Sequence, residues 1–182
     1  MLILASGSPR RRELLSLITD EFEVLVSGCD EFVPEGTPAE KVPAILAEQK
    51  ALAVAKLRPE DSVIGSDTVV VLNDEIFGKP KDKEHAHAML KALSGKKHFV
   101  YTGVAVAEKG SVRSVVQKTE VEFYELSDET IEKYIATGEP MDKAGAYGIQ
   151  GKGSVLVKGI IGDYFNVMGL PVAETARFLG LV

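Results

Sequence analysis

Cysteine occurs once in this 182-residue chain, at Cys29, which excludes an intrachain disulfide and any zinc site built from several thiolates. Cys29 reads as a small residue at a strand end. No apolar run approaches the roughly 20 residues of a membrane span, and Met1 to Ala5 is too short for the core of a secretory signal. The expected compartment is therefore the cytoplasm, with no membrane partner. Histidine is scarce: His85 and His87 fall on different faces of an expected helix and cannot form a helical metal pair, and His98 opens a strand, where a structural hydrogen bond is expected. Neither a G-x-S-x-G elbow nor a cysteine–histidine arrangement is present. Gly151-Lys152 fails as a P-loop, because Ala146 stands where its first glycine belongs and Gly153 where Ser or Thr is needed. Positive charge is also in deficit. A formal net charge of −6 argues against a general nucleic-acid binder, although local basic clusters suffice for a free nucleotide.

The chain has 45% hydrophobic and 26% charged residues, a balance that predicts one domain over residues 1–182 with a proper core. Its most informative run is DKAGAYGIQGKG, Asp142 to Gly153. Glycines there allow sharp turns and close approach to a ligand, while Lys143, Tyr147 and Gln150 offer a charge, a ring and an amide. By itself the run fits a binding loop or a glycine-rich hairpin connection. At the N-terminus a short apolar strand leads through Ser6-Gly7 into a helix, with Ser8 as N-cap and Pro9 in the first helical position. Arg10, Arg11 and Arg12 crowd a helix start whose dipole disfavours cations, so they need a negative partner: a phosphate chain, or surface carboxylates.

Hydrophobic periodicity then predicts alternating elements. Phe22 to Val26 reads as a strand, and Pro43 to Leu57 as a helix with Val42, Leu46, Ala53 and Leu57 inward. Lys50 falls on that same stripe, either snorkelling at its edge or aimed at a buried anion. Ser62 to Leu72 turns at Asn73-Asp74 into Glu75 to Phe77. A helix with Ala86, Met89, Leu90 and Leu93 inward follows, then a long hairpin from His98 to Ala107 and Val112 to Tyr124, and a helix at Asp128 to Ala136. Val155 to Ile161 reads as a strand and Val172 to Leu179 as a closing helix. Two long adjacent strands among helices predict an α/β (mixed α+β) fold with a mixed sheet. Inside the valine-rich strand, Asp67 is the least expected residue; it needs a metal, a lysine or a turn amide as partner. Lys79, pinned by Pro80, is a lysine that can be aimed. Glu31 is either a metal ligand or a solvated loop acid.

Six segments in order, SGSPRR (Ser6–Arg11), GSDTVV (Gly65–Val70), GKP (Gly78–Pro80), TGV (Thr102–Val104), GEPMDKAGAYGIQG (Gly138–Gly151) and GDYFNVMGLP (Gly162–Pro171), resemble the Maf family across essentially the whole chain. The resemblance implies an elongated mixed sheet flanked by helices, of the Maf/ITPase-like kind, with the active site in a cleft. It implies a nucleoside triphosphate pyrophosphatase that releases pyrophosphate from free dTTP or UTP, or from modified pyrimidine nucleotides, with a divalent cation (Mg²⁺, Mn²⁺ or Co²⁺). On that reading Asp67 is the general base and, with Glu31, a metal ligand; Ser6, Arg10, Arg11, Lys50 and Lys79 surround the triphosphate; Thr68 shapes the substrate site; and Gln150 reads the base. Arg12 points elsewhere on its helix. The family's association with inhibition of septum formation makes a nucleotide-sensing regulator the second reading, and nucleic-acid binding by the arginines a third. A homodimer is left open.

Overall fold

The computed structural model describes all residues, Met1–Val182. In chain order the elements are β1 (Leu2–Leu4), α1 (Pro9–Ser16), β2 (Phe22–Val24), α2 (Val42–Ala55), β3 (Ser62–Leu72), β4 (Glu75–Phe77), α3 (Lys83–Leu93), β5 (Lys97–Glu108), β6 (Ser111–Phe123), α4 (Asp128–Ala136), β7 (Val157–Ile161), α5 (Tyr164–Met168) and α6 (Val172–Phe178). Short 3₁₀ turns fill Ala39–Lys41, Glu139–Asp142, Ala144–Ala146 and Gly151–Leu156. No helix is long and apolar enough to cross a membrane.

The strands form a seven-stranded mixed sheet in the order β2-β1-β3-β5-β6-β7, with β4 also on β3. β1 is parallel to both β2 and β3, and the remaining pairs are antiparallel. β3 is the organising strand. One of its edges is paired with β5 from Val63 to Val71; on the other, β1 stops at Ile64 and β4 starts only at Val70. Gly65 to Val69 therefore have no strand partner on that side, and the sheet carries a notch in its middle.

Alternation along β3 divides its neighbours. Val63 packs with Ile3, Ala47, Ala51 and Val54, and Val69 and Val71 with Val42 and Leu46, all beneath α2. On the opposite face Ile64 joins Leu4, Leu14, Leu15 and Met168, and Val70 and Leu72 join the α3 and α4 side chains Leu90, Leu93 and Ile131. α2 lies unusually close to the sheet because glycines stand beneath it. A Cβ at Gly65 would fall 2.0 Å from the Ala47 carbonyl oxygen, and one at Gly103 2.3 Å from that of Pro43.

The hairpin turn at Asn73-Asp74 is in place, both residues taking positive φ as a tight two-residue connection requires. The inward residues expected on α3 are all buried. The α2 stripe differs from expectation: Val42, Pro43, Leu46, Ala47, Ala51 and Val54 face in, while Leu57 lies beyond the helix and is 69% exposed. Val42 and Leu46 face in as expected, Ala53 is only half-buried, and the alanines Ala47 and Ala51, admitted by the glycines beneath, join them. Val155 and Leu156 belong to a 3₁₀ turn, and α5 is an addition that periodicity did not reveal.

Candidate active site

Over the notch lies a cleft of about 570 Å³, a size suited to a small organic ligand. Ser6, Arg10, Arg11, Glu31, Lys50, Asp67, Thr68, Lys79 and Gln150 all line it, so the residues singled out in the sequence come together from six separate segments. Arg12 is exposed on the other side of α1, beside Glu13 and Asp20.

Asp67 sits within continuous strand, so a turn around it is ruled out and its partner is a lysine. Its register partner on β5 is Gly103. With α2 seated this low, Lys50 Nζ comes 2.6 Å from Asp67 Oδ1 and 3.0 Å from Glu31 Oε1, the Lys50 and Asp67 side chains each being only 14% exposed. Such a carboxylate without its ammonium would cost several kcal/mol, so the pair holds both groups in place. Glu31 is delivered by a clamp. The Gln49 amide accepts from Phe32 N at 2.9 Å and donates to the Phe32 carbonyl, fastening the loop after β2 to the outer side of α2.

The start of α1 is capped as expected, Ser8 Oγ accepting from Arg11 N at 3.4 Å. The Arg11 guanidinium is held rigidly: Nε donates to the Gly169 carbonyl at 2.9 Å, one terminal nitrogen to Thr68 Oγ1 at 3.1 Å and the other to Ser6 Oγ at 3.4 Å. Burial pulls its pKa down, Asp67 pushes it back up and Arg10 lowers it again. Thr102 Oγ1 donates its one proton to the Asn166 carbonyl at 2.8 Å, so in the 2.9 Å contact between the two threonines Thr68 is the donor. Thr68 then offers only acceptor capacity to Arg11 and to the cleft. Thr102, Asn166 and Gly169, which support the site from behind or beside it, stood in the sequence only as members of the TGV and GDYFNVMGLP segments with no role given; a threonine within an apolar strand and a glycine ending a short helix were the available signals.

Arg10 reaches Asp142 at 3.5 Å, so a carboxylate partly fills the role of counter-charge at the helix start. Lys79 is exposed at the rim and makes no ion pair, its backbone followed by the buried Pro80. The glycine run is a compact set of turns and not a hairpin. Within it Lys143 Nζ donates to the Glu139 carbonyl and to Asp142 Oδ1, each at 2.7 Å. Tyr147 is a pillar more than an offered ring: it is 4% exposed, stacks edge-on against Phe123, and its hydroxyl meets His98 Nε2 at 2.8 Å. Burial pushes the His98 pKa down to about 4, so its expected structural hydrogen bond is that of a neutral ring. Gln150 stands exposed on the loop, its side chain bonded to no protein group.

Glu31 and Asp67 already share one cation, the Lys50 ammonium, and no group of three or more potential ligands exists in the fold. Two carboxylates facing a cleft lined with arginines and lysines are a donor set suited to a hard divalent cation that completes its shell with other oxygen ligands and water. The residues fit such an ion.

The chain matches the description Maf-like protein over residues 1–182. It is 54% identical to a dTTP/UTP pyrophosphatase of Geobacillus sp. (strain WCH70) over 176 residues, spanning 97% of this chain and 95% of that protein. Identity to a dTTP/UTP pyrophosphatase of Bacillus cytotoxicus is 53% over 178 residues, 97% of this chain and 93% of the relative. Among solved structures, that of the Staphylococcus aureus Ham1 protein superposes with a TM-score of 0.45 at 20% identity, covering 70% of this chain and 72% of that one. From its first strand to its last helix, the chain belongs to the Maf-like protein family.

Proposed function

We propose that this protein is a nucleoside triphosphate pyrophosphatase acting on dTTP and UTP, cleaving between the α and β phosphates to leave the monophosphate and pyrophosphate. The observation that carries the proposal is the meeting, in one cleft, of a carboxylate base with four cations and a helix N-terminus. Asp67 has one oxygen on Lys50, which fixes the carboxylate's orientation, and its second oxygen makes no protein hydrogen bond and is available to take a proton from the attacking water. Arg10, Arg11 and Lys79 with the α1 amides neutralise the phosphate chain and the charge that builds on departing pyrophosphate. A divalent cation held by Glu31 and Asp67 would add Lewis acidity at the attacked phosphorus. Thr68 and Arg11 form the cleft's inner wall, and Gln150 at its mouth presents an amide that matches N3–H and O4 of uracil or thymine.

The test is a panel of dTTP, UTP, CTP, ATP and GTP scored for pyrophosphate, with wild type and Asp67→Asn. Wild type releases pyrophosphate with a preference for dTTP and UTP, and Asp67→Asn loses about 10²–10⁴-fold in rate while staying folded. Turnover by Asp67→Asn within a few fold of wild type would remove the general base from Asp67, and release from none of the triphosphates would remove the activity itself.

A further inference from the structure

We propose that Glu139 and Tyr134 are positioning residues for base selection, their hydrogen-bonded pair fastening both feet of the Gly148–Gly153 loop and so setting where Gln150 stands. The inference rests on the reading of Gln150 as the residue facing the base.

α4 ends near Tyr134, and Gly138, at φ 76°, reverses the chain so that the Glu139 carboxylate comes back beneath the loop. Glu139 Oε1 accepts from the Tyr134 hydroxyl at 2.9 Å and from Gly153 N at 3.0 Å, while Oε2 accepts from Lys152 N at 3.0 Å. The phenol has a single proton and gives it to Glu139, so its lone pair is free for Gly148 N, which donates to it at 3.1 Å. Gly148 at one foot and Lys152-Gly153 at the other are thus bound to one two-residue anchor. Steric closure accompanies it. A Cβ at Gly153 would fall 2.2 Å from the Gly148 carbonyl oxygen and 2.6 Å from the Tyr134 hydroxyl, so the feet touch each other and the anchor.

Gln150 makes no side-chain hydrogen bond of its own, and a lone amide can turn over to satisfy cytosine as readily as uracil or thymine. Discrimination therefore falls to groups that cannot turn over, the backbone amides and carbonyls of the loop, and to the height at which the loop holds them and Gln150 over the base. Burial works against ionisation of Glu139, yet the two amides, the phenol and Lys143 outweigh it and keep the carboxylate below its usual range, as an all-donor environment demands.

Glu139→Gln turns an amide NH₂ toward at least one of these donors, and Tyr134→Phe removes the bridge to Gly148 while keeping the ring. The readouts are the ratio of kcat/KM for dTTP to that for CTP, and inhibition by tripolyphosphate, which has the phosphate chain but no base. For both variants the ratio should fall about tenfold, with tripolyphosphate inhibition held within about twofold of wild type. If Glu139→Gln does not fold, Tyr134→Phe carries the test alone. A ratio unchanged in the folded variants overturns the inference, and so does a parallel loss of tripolyphosphate inhibition, which would mark a general collapse of the cleft. A wild-type enzyme that releases pyrophosphate without preferring dTTP overturns the base assignment and this inference together, leaving the pyrophosphatase reading standing.

Discussion

Gly65→Ala places one methyl group where the structure has no room for it. The added carbon would lie 2.0 Å from the Ala47 carbonyl oxygen and 2.8 Å from Ala51 N, both backbone atoms of α2 that no rotamer change can move. Gly65 has ordinary strand φ, so alanine is conformationally acceptable and the contact alone is responsible. Restoring ordinary packing at about 3.4 Å requires α2 to rise by about 1.4 Å or β3 to bend by the same amount. Lys50 rides on α2, and its 2.6 Å contact with Asp67 would open to about 4 Å, the outer limit of an ion pair. Overpacking of this kind costs about 1–3 kcal/mol, equivalent to a Tm lower by roughly 3–10 °C in a chain of this size. A displacement of about 1 Å at the base is enough for on the order of a hundredfold loss of rate. Thermal unfolding and pyrophosphate release from dTTP would be measured for Gly65→Ala beside Gly159→Ala, whose Cβ meets nothing within 4 Å. A Gly65→Ala protein that melts and turns over like Gly159→Ala would refute the claim that α2 seats Lys50 through this contact.

Arg10→Ala and Lys79→Ala should each weaken tripolyphosphate inhibition and lower kcat/KM about tenfold or more, whereas Arg12→Ala, exposed on the far side of α1, should match wild type; equal losses at Arg10 and Arg12 would indicate a diffuse basic patch. His98 has a folded-state pKa near 4 against 6.5 when unfolded, so as pH falls the unfolded chain takes up this proton first. The stability that neutral His98 contributes is thus complete above about pH 6.5 and is lost progressively down to about pH 4, about 3 kcal/mol at most. Urea unfolding of wild type and His98→Phe across that range tests this: the wild-type curve should fall more steeply, and parallel curves would contradict the assignment.

Much of the site was legible because its residues violate local expectation. Asp67 among valines needs a partner, and Lys50 on an apolar stripe reads either as snorkelling or as aimed at an anion; the structure shows each to be the other's partner. The three long strands and the Asn73-Asp74 turn were readable from period-two alternation and turn chemistry. On the inward face of α2, Val42 and Leu46 were legible, but Ala47 and Ala51 were not, because it is the glycines on two neighbouring strands that bring the helix down onto those alanines, and that information lies in pairing distant in sequence. α5, Tyr164–Met168, is too short to display a period. Glu139 reads as an ordinary loop acid until the fold brings Tyr134, Lys152 and Gly153 around it.

The notch in β3 also bears on self-association. A strand edge without a partner is a template on which another chain can add, and long flat apolar edges are prone to aggregation. Here the unpaired stretch spans only Gly65 to Val69, β1 and β4 block continuation at either end, and Asp67 and Arg11 place charges beside it. An incoming strand would be stopped by β1 and β4 at the two ends and would have to strip water from those charges. The gap that leaves the middle of the sheet accessible to a small anionic ligand is in this way closed to a second polypeptide.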